Sequence, residues 1–280
     1  VIHPTAVVHP TAELGSEVAI GAFCVIEARV RLGVGCRLAE HVLVRTGSSL
    51  GVGVKIDSFA VVGGEPQMRV HDPEAAGGIV KIGDRTVIRE AVTINRPTRR
   101  GGETRVGADC FLMANCHVGH DSMIGDFVTL ANNVMLGGHV TLGDHCFIGG
   151  GAGLHQFVRV GEGAMIAGNA AISYDVPPFA TAADRNDICG LNMLGIRRRG
   201  FAADVLPDLK RCYRAVFLGS GNLRAEAAAV LAAGSFGKTP QGYLFLEFFA
   251  GGKRGFGHAR GQRDRHAGDT ATIDGLRPSD

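Results

Sequence analysis

From Val106 to Ile124 the chain reads Val106-Gly-Ala-Asp-Cys110-Phe-Leu112-Met-Ala-Asn-Cys116-His-Val118-Gly-His120-Asp-Ser-Met-Ile124, with an aliphatic residue on every sixth position. The same phase runs on through Leu130, Leu136, Leu142, Ile148, Leu154, Val160, Ile166 and Ile172, twelve in a row from Val106. Upstream, Ile2, Val8, Leu14, Ile20, Ile26, Leu32, Leu38, Val44, Leu50, Ile56 and Val62 form a run of eleven, and Ile82, Ile88 and Ile94 a shorter one. Helical periodicity does not produce such spacing; a repeat architecture does.

The expected fold class is therefore mainly β, a parallel β-helix of hexapeptide repeats followed by a small C-terminal α-helical domain. Three hexads make a coil of 18 residues, each with one short strand whose aliphatic residue points inward. Coils stack at the ordinary strand spacing of about 4.8 Å, so residues 18 apart lie one above another. Glycine often follows the aliphatic residue, as at Gly21, Gly33, Gly107 and Gly125, where the reading expects a corner with an unusual backbone conformation. Cys24, Cys36, Cys110, Cys116 and Cys146 hold the fifth position of their hexads, a small inward slot. With Cys189 and Cys212 the count is seven and no CxxC pair occurs, so these are expected to be reduced packing residues.

Composition agrees with many short strands and tight turns: 45% hydrophobic residues, 42 glycines, 14 phenylalanines and no tryptophan in 280 residues. A net charge of +2 names no partner by itself. The start, Val1-Ile2-His3-Pro4-Thr5-Ala6, has neither the basic nor the apolar region of a signal peptide, and no apolar run reaches spanning length. A cytoplasmic protein is expected, with no nucleic-acid partner and no stable membrane insertion.

The register breaks twice, over 64–80 and over 95–105, and both excursions are expected to reach a neighbouring subunit or a substrate. After Pro177-Pro178 the repeat stops. Helical spacing returns over 203–218, Asn222 is placed to cap an Ala-rich helix ending at Ala233, and Pro240 to open a third ending near Phe249. The expected domains are 1–185 for the β-helix and 186–252 for the helices, with 253–280 a disordered basic tail.

Chemistry concentrates in the third run. His117, His120, His139, His145 and His155 fall within 39 residues. Folded onto the coil, His120, Gly138 and Gln156 form one column, Asp121, His139 and Phe157 the next, and His155 lies beside Gln156. A metal site would use three converging imidazoles. A transferase would use one imidazole as general base, worth roughly 10²–10⁴ in rate, and a backbone N–H for an oxyanion. Asp121 follows His120 directly and is placed to orient its ring. A row of solvated polar side chains is the bland alternative.

The stretches Leu112-Met-Ala-Asn-Cys-His-Val-Gly-His-Asp121, Leu130-Ala-Asn-Asn133, Gly137-Gly-His139, Leu154-His-Gln-Phe157, Asp175-Val-Pro-Pro178 and Arg198-Arg-Gly-Phe201 follow one another in this order. Together they resemble the acyl carrier protein–UDP-N-acetylglucosamine O-acyltransferases that open lipid A synthesis, and the match runs from about His3 to Phe249. The resemblance implies a left-handed β-helix and a homotrimer with sites between subunits, working without metal or cofactor. It implies His120 as the base that deprotonates the sugar 3-hydroxyl for attack on a 3-hydroxyacyl carrier protein thioester, with Gly138 giving the oxyanion N–H. It places Gln67, Arg69, His117, His139, His155 and Gln156 at the substrate, Asn192, Arg198 and Arg199 near the nucleotide and carrier-protein ends, and Gly168 at a position limiting acyl length.

Two departures stand out. The family's Gln-Asp-x-Lys reads Gln67-Met68-Arg69-Val70 here, with Arg69, His71 or Asp72 as stand-ins, and an acidic residue between Asn192 and Gly195 is replaced by Leu194. Transfer to a 3-amino sugar nucleotide is therefore an alternative, alongside a γ-type carbonic anhydrase with three histidines on zinc and an inactive paralogue.

Overall fold

The computed structural model describes residues 1–68, 78–219 and 221–260. Arg69, His71 and Asp72 lie outside them, as does 261–280. Among the described residues three sheets of nine, eight and eleven strands, parallel but for one antiparallel pair, form the walls of a triangular coil. The chain visits each wall in turn, as in His117–Val118, Met123–Ile124 and Thr129–Leu130, then returns to the first at Met135–Leu136. Val118 pairs with Leu136 and Leu136 with Leu154, so the aliphatic residues stack. Most strands are two residues long because the wall is only that wide; their hydrogen bonds run to the next coil, as from His117 N to Val134 O at 2.9 Å.

Each hexad buries two side chains. The aliphatic residue is one, and the residue two before it, Val128, Val134, Val140, Cys110 or Cys146, is the other. In this slot the cysteine thiols donate to carbonyls of the next coil, Cys24 to Ala39 O at 2.8 Å and Cys116 to Ala131 O at 3.0 Å. Burial pushes the Cys146 thiol up to about 12, so it packs as an inert thiol.

The glycine reading needs correction. The left-handed backbone falls three residues after the aliphatic position, on Phe23 (φ 57°), Asp121 (φ 58°), His139 (φ 60°) and Phe157 (φ 67°). The glycine directly after the aliphatic residue is needed for space instead: a Cβ on Gly21 would lie 2.7 Å from the Ala39 carbonyl carbon, and one on Gly119 2.7 Å from Gly138 N. These are the points where one coil's backbone presses on the next.

Beyond Ile172, strands Ala180–Ala183 and Asp187–Leu191 form an antiparallel pair that extends the eleven-stranded sheet. Among the described residues four α-helices follow: α1 (Met193–Arg198), α2 (Val205–Phe217), α3 (Leu223–Ala233) and α4 (Pro240–Glu247). Asn222 caps α3, accepting from Arg224 N at 2.9 Å, and Thr239 caps α4 ahead of Pro240. Phe217, Phe245 and Phe249 form the centre of the helical unit. The short α1 carries no sequence signal strong enough to announce it.

Residues 253–260, expected to be disordered with the tail, pack instead. His258–Ala259 add a parallel strand beside Asp187–Leu191, and Phe256 is buried against Phe249 at 4.8 Å. Three phenylalanines within 248–256 make this stretch part of the core, whatever its basic neighbours suggest. The buried Asp175 ties it down: its Oδ2 lies 2.7 Å from Arg159 Nε, and Arg159 Nη2 donates to Phe248 O and Gly251 O at 3.1 and 2.9 Å.

Candidate active site

His120 sits in the turn after the strand His117–Val118, with its ring turned along the outside of the coil. Its Nδ1 lies 2.9 Å from Asp121 Oδ2, and both side chains are about 85% buried, at 15% and 14% exposure. Nε2 is thereby left for the groove. Asp121 Oδ2 also accepts from Thr98 N at 3.1 Å and Thr98 Oγ1 at 2.9 Å, while Asp121 N donates to Thr104 Oγ1 at 2.8 Å. Burial raises the Asp121 carboxyl, but the His120 and Thr98 hydrogen bonds outweigh it and hold the group below the usual carboxylate range.

Thr98 belongs to the second excursion, 95–105. That loop folds back on the carboxylate of its own chain, and sequence reading missed both threonines because nothing local to them marks the contact.

One coil on, Gly138 is buried against the imidazole: a Cβ there would lie 2.5 Å from His120 Nε2. Its carbonyl accepts from Phe157 N at 3.0 Å, and among the described residues its own N–H has no hydrogen-bond partner. His139 donates its backbone N–H to His120 O, meets the His120 ring edge-on at 5.1 Å and stacks on Phe157 at 4.4 Å. His117 Nδ1 is 2.8 Å from Thr93 Oγ1. Burial lowers the His117 and His139 imidazoles from their ordinary value, which favours their neutral form.

These groups edge a groove of about 660 Å³. Gln67, His117, His120, Gly138, His155 and Gln156 line its polar side, and Met135, Gly153 and Ala171 follow His117 down its floor on successive coils. Four coils span about 14 Å at ordinary strand spacing, a long shallow apolar track leading away from His120. Ser173 and Arg185 also line the groove.

The other sequence-derived residues lie elsewhere on the chain. Gly168 is in the turn before Ala171–Ile172, at the opposite edge of that wall from His120. Asn192 caps α1, accepting from Gly195 N and donating to Gly163 O, both at 3.0 Å. Arg199 pairs with Glu162 at 2.5 Å and lies over the Phe201 ring, on a different corner of the triangle, with the exposed Arg198 beside it. Arg254, absent from the sequence reading, reaches His155 and Gln156.

Nδ1 or Nε2 of His120 and His139 and an oxygen of Asp121 lie within 4.8 Å of one another, a group able to hold a cation. Asp121 Oδ2, however, already accepts from three donors, which makes it the anchor of a hydrogen-bonded dyad.

A coil of hexads carrying a His–Asp dyad beside a free backbone N–H and an apolar track defines a hexapeptide-repeat acyltransferase. Residues 103–138 match the bacterial transferase hexapeptide family (six repeats), and 175–257 match domain 2 of UDP N-acetylglucosamine O-acyltransferase. An acyl-[acyl-carrier-protein]–UDP-N-acetylglucosamine O-acyltransferase of Sinorhizobium fredii is 43% identical over 82% of this chain and 85% of its own. That of a Janthinobacterium species is 40% identical over 91% and 98%. The solved UDP-N-acetylglucosamine acyltransferase from Campylobacter jejuni superposes with a TM-score of 0.85 at 36% identity, covering 92% of this chain and all of that one.

The chain belongs to the acyl-[acyl-carrier-protein]–UDP-N-acetylglucosamine O-acyltransferase family, and its fold is the left-handed parallel β-helix with a small helical C-terminal unit.

Proposed function

We propose that this acyltransferase moves a 3-hydroxyacyl chain from acyl carrier protein to the 3-hydroxyl of UDP-N-acetylglucosamine, the opening reaction of lipid A biosynthesis. The observation that carries the mechanism is the His120–Asp121 pair at 2.9 Å with Gly138 against the imidazole. His120 Nε2 takes the hydroxyl proton as the sugar oxygen attacks the thioester carbonyl. The Gly138 N–H donates to the oxyanion that forms, and Asp121 holds the ring and stabilises the imidazolium. Collapse expels the thiolate, which takes the proton from His120, leaving an ester on the sugar. No metal is needed for any of these steps.

A homotrimer is part of this reading. Arg199 and Gly168 occupy corners of the triangle other than that of His120, so they serve one site only if neighbouring copies complete it. A cytoplasmic setting fits the buried thiols of Cys24, Cys36, Cys110, Cys116 and Cys146. Among the described residues no helix is long and apolar enough to cross a membrane.

Incubation with 3-hydroxyacyl carrier proteins and UDP-N-acetylglucosamine, read by mass spectrometry, is expected to yield the acylated sugar nucleotide. A parallel reaction with the 3-amino analogue tests the second reading, favoured by Met68 and the departures that follow it; preferential acylation of the amine would replace the ester assignment. Stoichiometric zinc and hydration of carbon dioxide without acyl transfer would favour the carbonic anhydrase instead.

A further inference from the structure

Residues 250–260 leave the helical unit and return across the β-helix. Two neighbours of Arg254 fix its place: Gly255 O accepts from Asp175 N at 2.8 Å, and Phe256 is buried. From there Arg254 Nη2 lies 2.6 Å from His155 Nδ1, and Arg254 Nε donates to Gln156 O at 3.1 Å.

The guanidinium has only donors, so His155 Nδ1 accepts, and in the neutral ring the proton is then on Nε2. The local alternative is the reverse. Gln156 O stands 3.4 Å from the same Nδ1, and a carbonyl there draws the ring proton to Nδ1. Arg254 removes that option by donating to Nδ1 itself, while its Nε–H takes one of the two acceptor sites of the Gln156 carbonyl. His155 is exposed and lines the groove with His120 and Gln156.

We infer that Arg254 is a positioning residue that holds His155 as its Nε2–H tautomer, so that His155 offers a hydrogen-bond donor to an oxygen of the bound acceptor nucleotide. The identity of the acceptor rests on the proposed acyl transfer; the tautomer does not. A basic stretch that composition assigns to a solvated tail thus sets the hydrogen-bonding sense of a residue on the groove.

Long-range ¹H–¹⁵N imidazole spectra of wild type, Arg254→Ala and Arg254→Lys test this, with His155 assigned by its loss in His155→Ala. Wild type is expected to show an unprotonated Nδ1 and a protonated Nε2. Arg254→Ala shifts the ring toward Nδ1–H, and Arg254→Lys, which keeps a donor, retains the wild-type pattern. Alongside, Arg254→Ala raises the KM for UDP-N-acetylglucosamine roughly tenfold with kcat and Tm little changed. A wild-type ring protonated on Nδ1, or a tautomer indifferent to Arg254→Ala, overturns the inference. If no protein transfers an acyl group, the proposed reaction fails while the spectra still decide the tautomer.

Discussion

His120 lies so close to Gly138 that no side chain fits between them; a Cβ on Gly138 would stand 2.5 Å from Nε2 and 2.9 Å from Nδ1 of the imidazole. The proposed base and the proposed oxyanion donor are neighbours on adjacent coils, and the absence of one methyl group is what lets them meet.

Gly138→Ala is therefore expected to fold, since Gly138 has no left-handed backbone, yet to push the imidazole off Asp121. Turnover should drop by about 10³, the scale of losing an oxyanion donor or a positioned base. Wild-type turnover in a folded Gly138→Ala protein would contradict this placement. Steady-state kinetics with circular dichroism as the folding control decide it.

Thr98 should act through Asp121. Thr98→Val removes the 2.9 Å hydroxyl bond but leaves the backbone N–H, so a loss in kcat of roughly tenfold is expected, with KM nearly unchanged and Thr98→Ser restoring the rate. Asp121→Asn, which also disturbs the choice of His120 tautomer, should cost more, on the order of 10²–10⁴. Equal, small effects for both would show that the carboxylate does not orient the ring.

Acid should weaken the fold before the carboxylates titrate. Burial lowers the imidazoles of His117, His139 and His145 below 6.5, and nearby Arg199 adds to the effect at His145. Below pH 6.5 the unfolded chain takes up protons that the folded chain resists, so stability is fully present above that pH and is lost as pH falls through the window beneath it. Asp175, raised by burial, works the other way but only nearer its ordinary value of 3.8. Tm is expected to fall between pH 7.5 and 5.5, and His145→Gln, outside the groove, to reduce that fall.

The helical unit should depend on one buried ion pair. Arg159→Ala leaves the Asp175 carboxyl buried without its partner and removes a donor from the Phe248 and Gly251 carbonyls, the latter still accepting from Arg224 Nη2 at 3.3 Å. A loss of about 3–5 kcal/mol is expected in urea unfolding. A change under 1 kcal/mol would mean that aromatic packing alone holds the segment.

The fold was legible because a six-residue period admits one solution, and the column His120–Gly138–Gln156 followed because wall register is constant from His117 through Met135 to Gly153. What escaped was whatever arrives from off the coil. Thr98 comes from an excursion 23 residues before Asp121, and Arg254 from 99 residues beyond His155; no periodicity encodes either approach. The glycines misled for a different reason. A hexad places left-handed backbone on residues such as Phe157 and Asp121, which bear it because the stack holds them there, and reserves glycine for contact between coils. Gly168 and Arg199 illustrate the limit of one chain: their positions are plain in the sequence, but they lie on corners other than that of His120, and only the proposed trimer would bring them to it.

The most direct measurement is turnover of His120→Ala with 3-hydroxyacyl carrier protein and UDP-N-acetylglucosamine, at matched thermal stability. The account predicts a fall of at least about 10²–10⁴, with substrate binding retained. Near wild-type turnover in the folded variant would contradict the assignment of His120 as the base.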